Sequence, residues 1–212
     1  MPRVRGPVPE AMVVHLKYVK AGVQSSISAA IGQYINYKWN TNSIFDPDAS
    51  GAGHQPRFHD QWALMYRKYY VRKFTIRARM HNTNLVNDAG GYLFLEHRSV
   101  NDLSKIAVTS SIERNIERAN SANNVKLKRF LSPGSGGQTH WVTKSLTLVP
   151  AFDLEGRDKH TNTAAFGTNP STLTELLVSW VFPQAGGTKS VFLEYDIDYE
   201  VCLMDPIMPS QS

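Results

Sequence analysis

The sequence predicts an all-β fold: an antiparallel sandwich or barrel of eight strands in a single domain, with short helices in the inter-strand loops. Three observations carry this. Period-2 alternation recurs in eight short blocks rich in β-branched and aromatic residues, and Gly, Pro, Asn and Ser separate the blocks. Only two segments have helical periodicity, too few for the crossover helices of a parallel sheet. The length of 212 residues suits one domain of this class, and 42% hydrophobic against 19% charged residues excludes a disordered, collagenous or coiled-coil chain.

The predicted strands are Ala11–Lys20, Gln33–Ile44, Tyr69–His81, Gly91–Val100, Val125–Leu131, Thr139–Val149, Thr172–Pro183 and Lys189–Met204. In the first, Met12, Val14, Leu16 and Tyr18 form an apolar face opposite His15 and Lys17. In the third, Tyr70, Phe74, Ile76, Ala78 and Met80 are apolar with Arg72 as the exception, while Lys73, Thr75, Arg77, Arg79 and His81 make a cationic face. In the seventh, Leu176, Val178, Trp180 and Phe182 are in phase. In the last, Val191 through Leu203 supply one apolar face, and Glu194, Asp196, Asp198 and Glu200 fall consecutively on the other with Phe192 and Cys202. Like charges about 7 Å apart repel, so this acidic row is expected to pair with a basic strand rather than act as an acid/base site.

The two helices fall in connections. Phe58–Lys68 places Trp62, Met65, Tyr66 and Tyr69 at helical spacing, with Asp60 in the first turn. Ser110–Ala119 places Ile112, Ile116 and Ala119 on one face, and Ser110 with Glu113 matches a capping box. Longer loops are expected at 45–57, 82–90, 132–138 and 150–171, all rich in turn residues. There is no internal repeat or low-complexity tract.

Charge narrows the function classes. The net charge is +5, and it is unevenly placed: residues 1–80 are net +8 and residues 81–212 net −3. A basic balance favours polyanionic partners. One cysteine, Cys202, excludes an internal disulfide framework or a Cys-based zinc site, and it is expected to remain a free thiol. No apolar run approaches a membrane span and the N-terminus has no signal-peptide core, so a soluble, unsecreted chain with no membrane partner is expected.

The motifs offer little catalysis. Seven histidines are scattered with no HExxH or GxSxG, so no nucleophile constellation is present and no enzyme is expected. The loop from Phe45, Asp46, Pro47 and Asp48 to His54, Gln55 and Pro56 is the densest polar cluster. Its Asp46, Asp48 and His54 admit a metal reading, but turn chemistry accounts for them better: Pro47 and Pro56 stiffen the loop, and Gly51 and Gly53 permit unusual backbone. Neither a metal nor a cofactor is expected. Gly51-Ala-Gly53 lacks the rest of a phosphate loop.

Three stretches resemble the capsid proteins of circovirus-like viruses, whose circular single-stranded DNA genomes encode a replication initiator. The first runs from Asn42-Ser-Ile-Phe-Asp-Pro-Asp through Gly51-Ala-Gly-His-Gln-Pro56 to Asp60-Gln-Trp-Ala-Leu-Met-Tyr66 and Tyr69-Tyr-Val71. It is the most specific. The second joins Ile116-Glu-Arg-Ala-Asn120, Val125-Lys-Leu-Lys-Arg-Phe-Leu131 and Pro133-Gly-Ser-Gly-Gly137. The third joins Ala164-Ala-Phe-Gly-Thr-Asn-Pro170 to Glu194-Tyr-Asp-Ile-Asp-Tyr-Glu-Val201. The resemblance implies a single jelly roll over residues 11–206, preceded by a short basic arm (1–10) and followed by a tail (207–212). It also implies self-assembly into an icosahedral T=1 shell, expected to be sixty copies, around single-stranded DNA, with a virion location and assembly in the host nucleus; no host receptor is indicated.

In that jelly roll the first, eighth, third and sixth strands share a sheet, which sets the acidic row between Lys17 and the cationic strand. Assembly contacts are expected from the loop Phe45–Arg57, and nucleic-acid contacts from Arg3, Arg5, Lys17, Lys73, Arg77 and Arg79. The competing expectation is that the acidic strand consumes the strand cations. The family's long arginine-rich arm is represented by Arg3 and Arg5 alone, so packaging is expected to draw on folded-domain charge or on an arm removed from this chain. The alternative function is a jelly-roll carbohydrate-binding module or lectin using an exposed Trp39 or Trp141; a metal-dependent jelly-roll enzyme is a third.

Overall fold

A computed structural model of the chain describes residues 9–27, 33–82, 91–99, 112–130, 141–148, 162–182 and 189–207. Arg3, Arg5, Ser110 and the predicted loop 132–138 lie outside them. The elements are β1 (Ala11–Ile27), β2 (Gln33–Asn40), α1 (His59–Ala63), β3 (Tyr66–Asn82), β4 (Gly91–Ser99), α2 (Ile112–Ser121), β5 (Val125–Phe130), β6 (Val142–Thr147), β7 (Ala164–Ala165), β8 (Thr174–Phe182) and β9 (Lys189–Pro206). The eight long strands are the eight predicted blocks, and β7 adds a two-residue pairing to β3. No described helix is long and apolar enough to cross a membrane.

Two antiparallel sheets form, in the orders β1-β9-β3-β6 and β2-β8-β4-β5. This is the jelly roll, with the first, eighth, third and sixth long strands together as expected. Registers follow the alternation: Leu16 faces Tyr199, Ile76 faces Ile197, and Tyr37 and Leu95 both face Val178. The core between the sheets holds Leu16, Tyr18, Trp39, Phe74, Leu93, Trp180, Tyr195, Ile197 and Tyr199. Two of its aromatic polar groups find partners there: Trp180 Nε1 donates to Tyr195 Oη at 3.2 Å and Tyr199 Oη donates to the Asn40 carbonyl at 2.8 Å. Trp39 is fully buried, so it is a core residue and not the surface aromatic a lectin would need.

Two expectations need correction. The helix over Phe58–Lys68 is only five residues long, because Tyr66 and Lys68 pair with Pro206 and Met204 of β9 and extend β3 instead. Strand pairing satisfies the backbone there and buries Tyr66, and that outweighs the local helical spacing. Tyr70 does not share a face with Phe74. A bulge between Val71 and Lys73 shifts the β3 register against β9, so Tyr69 and Val71 face the core before it and Phe74, Ile76, Ala78 and Met80 after it. Tyr70 instead packs with Cys202 on the opposite face, and Arg72 ceases to be an exception.

The two central strands of the second sheet, β8 from Glu175 to Phe182 and β4 from Leu93 to Glu96, are buried on both faces. α2 lays Ile112, Ile116 and Ala119 over Phe94, Val125 and Val181, the face predicted for it. Asn115 beneath it donates to Tyr34 Oη at 2.7 Å. The same face contains buried ions: Arg98 Nε donates to Glu175 Oε1 at 2.5 Å, and Arg118 reaches Glu96 at 2.7 Å.

Candidate assembly and nucleic-acid interface

The outer face of the first sheet assembles the predicted charge ladder. β9 lies between β1 and β3, so its carboxylates meet cations from both sides. Arg79 pairs with Glu194 and Arg77 with Asp196, Arg72 Nη1 lies 3.3 Å from Glu200, and His15 Nδ1 lies 2.9 Å from Asp198. The hydrogen bond from Arg79, with support from His81 at 3.1 Å, holds the Glu194 carboxyl below its usual range against the opposing effect of burial. Lys17 and Lys73 sit opposite Asp198 and Glu200 in register and make no ion pair among the described residues. The face thus divides its cations: Arg77 and Arg79 are spent in pairs, Lys17 and Lys73 are not.

Trp141, just before β6, covers the two arginines. The Arg79 guanidinium carbon lies 4.3 Å and that of Arg77 5.6 Å from its ring centroid, while the residue remains 39% exposed. The neighbouring rim of the sandwich is also basic. Lys126 Nζ donates to the Thr143 carbonyl at 2.6 Å, Lys128 and Arg129 are exposed on the same strand, and buried Lys144 donates to the Asn124 carbonyl at 2.6 Å. Burial and the nearby Lys126 charge hold the Lys144 ammonium below the usual lysine range. Sequence reading missed this rim, although Val125-Lys-Leu-Lys-Arg displays it as alternating cations on an edge strand.

The loop Phe45–Arg57 is pinned at both ends. Asn40 N–H donates to the Pro47 carbonyl at 2.9 Å and Ala49 N–H to the Lys38 carbonyl at 3.2 Å. Asp48 is buried, paired with Lys20, and accepts from the Ser50 N–H at 3.0 Å. Burial pushes its carboxyl up, but these partners outweigh it and hold it below its usual range. His54 stacks on Tyr18 at 4.3 Å and reaches the Val19 carbonyl at 3.1 Å, and Arg57 N–H donates to the Lys17 carbonyl at 3.2 Å. A Cβ on Gly53 would come within 2.7 Å of Asp48 Cβ and 2.8 Å of Tyr18 Oη, so this position requires glycine for close approach.

Of the seven residues expected to make assembly contacts, Pro47, Asp48 and Pro56 are buried anchors, and Phe45, Asp46 and Gln55 are half-buried. His54 is exposed, with Ala49–Gly53 beside it. Asp46, Asp48 and His54 do not converge: among the described residues no group of three His, Cys, Asp or Glu side chains is placed to hold a metal.

The sequence matches no protein-family model and no curated protein. Solved structures do resemble the fold. The Penaeus vannamei nodavirus T=3 structure aligns at TM-score 0.53 and 11% identity, over 93% of this chain and 55% of that one. The Macrobrachium rosenbergii nodavirus structure aligns at 0.51 and 9%, over 95% and 60%. The fold is one found in virus shells. A decameric BFDV capsid protein aligns at 0.49 and 13%, over 92% of this chain and 99% of that one.

Proposed function

We propose that this chain is a viral capsid protein, a subunit that associates with copies of itself into a closed shell and performs no catalysis. The observation that carries the reading is the paired strand order β1-β9-β3-β6 and β2-β8-β4-β5, in a chain that aligns over nine-tenths of its length with nodavirus structures. In its finer form, the shell is an icosahedral T=1 particle of sixty copies around circular single-stranded DNA, assembled in the host nucleus and found in the virion. The resemblance of the three sequence stretches to circovirus-like capsids supports that form.

The exposed turn Ala49–His54, rigidly anchored by Pro47, Asp48 and Pro56, is the proposed assembly surface: pre-ordering lowers the entropy lost on association. Arg3, Arg5, Lys17, Lys73, Arg77 and Arg79 are the proposed nucleic-acid contacts, and Lys17 and Lys73 have the stronger case because among the described residues no ion pair spends their charge. Negative-stain microscopy and sedimentation of the recombinant chain test the reading. Particles of megadalton mass are expected, with nucleic acid inside that DNase, and not RNase, degrades once the particles are opened. A chain that stays monomeric or forms only small oligomers across salt and pH overturns it.

A further inference from the structure

We propose that Trp141 is a base-stacking platform for single-stranded nucleic acid, with Lys73, Lys126 and Lys128 taking the phosphates and Arg77 and Arg79 contributing indirectly, as positioning residues behind the ring, rather than as phosphate contacts of their own. The inference relies on the capsid reading only for its choice of ligand. Its physical basis is a large indole, 39% exposed, whose neighbours are two guanidinium groups at 4.3 and 5.6 Å. An exposed tryptophan is free to change rotamer, at the cost of binding precision. Here both arginines are fixed from below by Asp196 and Glu194, so the ring rests on a braced cationic support.

The surroundings fit that ligand. Lys126 bonds the backbone of Thr143, two residues along from Trp141, and Lys128 lies two residues farther along β5. Lys73 stands on β3 opposite Thr147, six residues before Arg79, which is about 20 Å of strand. In register Arg77 lies opposite Asp196, Arg79 opposite Glu194 and Lys73 opposite Glu200, and Glu200 is itself paired with Arg72. Lys73, Lys126 and Lys128 make no ion pair among the described residues. An aromatic face among unspent cations is the arrangement that binds a stacked base and its flanking phosphates without reading sequence. A neutral sugar would use the ring and leave the lysines without a role.

The test is fluorescence anisotropy of the full chain with fluorescein-labelled oligothymidine, an oligouridine of equal length and an abasic oligomer, in the same assembly state by sedimentation. Trp141→Ala should weaken oligothymidine binding roughly 5- to 150-fold and leave its salt dependence unchanged. It should have no effect on the abasic oligomer, which wild type should bind about as weakly as the variant binds oligothymidine. Joint replacement of Lys73, Lys126 and Lys128 by Gln should flatten the slope of log affinity against log salt by about 2. Lys73→Gln with Lys128→Gln, which leaves the Lys126 bond intact, should flatten it by about 1.4.

Arg79→Gln should weaken thymidine and spare the abasic oligomer, since it acts through the ring. The oligothymidine-to-oligouridine ratio identifies whether the site takes DNA or RNA. Equal binding of oligothymidine by wild type and Trp141→Ala overturns the proposal, as does displacement of the oligomer by a neutral glucan. Particles that form while these variants bind normally would sink this site and leave the shell reading intact. Stacking in a chain that never forms particles would do the reverse.

Discussion

Arg98→Met removes a guanidinium set between two buried carboxylates on the outer face of the second sheet. Arg98 is 5% exposed, Glu96 1% and Glu175 4%. Arg98 Nε donates to Glu175 Oε1 at 2.5 Å, and Arg98 Nη1 lies 3.9 Å from Glu96. After the substitution Glu96 keeps Arg118 at 2.7 Å, but Glu175 is left with Lys38 at 4.0 Å. Methionine occupies much of the volume of the arginine stem, so the loss is chiefly electrostatic. Breaking a buried pair from one side costs about 3–5 kcal/mol. For a domain of this size, each kcal/mol lowers Tm by about 2–4 °C, giving a fall of about 6–20 °C. Calorimetry and urea midpoints of the full chain measure it. Replacing Arg98 and Glu175 together with Met should recover most of the loss, because no buried charge is then left alone. A loss under about 1 kcal/mol for the single variant would show that water screens the pair, and that α2 does not seal this face.

Three further outcomes follow from the ladder, the loop and the thiol. The folded Glu194 carboxyl is held below its unfolded value, so its contribution is present above the ordinary carboxylate pKa and is lost as pH falls through the folded value; Arg79→Gln should shrink the drop in Tm between about pH 5 and pH 2, and an unchanged drop counts against the pairing. Gly53→Ala should destabilise by about 1–3 kcal/mol in urea titration, since its Cβ meets Asp48 and Tyr18; a neutral result would mean the turn shifts freely. Cys202 is buried against Tyr70, so reductant should leave particle sedimentation unchanged, and particle loss would reveal a disulfide between subunits.

The strand phases were legible because alternation is a local property. β9 pointed Val191 through Leu203 inward and its carboxylates outward, and the structure places them so. The need for a cationic neighbour followed from repulsion alone, and Arg77 and Arg79 supply it. Sequence did not show the bulge after Val71, which moves Tyr70 to the outer face, because a bulge arises from pairing with a strand more than a hundred residues away. Nor did it show that Trp62 belongs to α1 and Tyr66 to β3 with Met65 in the turn between them, since their helical spacing says nothing of the β9 end waiting for Tyr66.

For the candidate site, the sequence by itself determined the residue types and the face of each strand, which is why Lys17, Lys73, Arg77 and Arg79 could be placed on the charged outer face. Only the tertiary structure decided which of these charges remain available. An ion pair depends on distances across strands, so Arg77 and Arg79 are spent on Asp196 and Glu194 while Lys17 and Lys73 make no ion pair among the described residues. Tertiary structure also set Trp39 in the core and Trp141 at the surface over two arginines, because burial is fixed by what the rest of the chain places on top of a side chain.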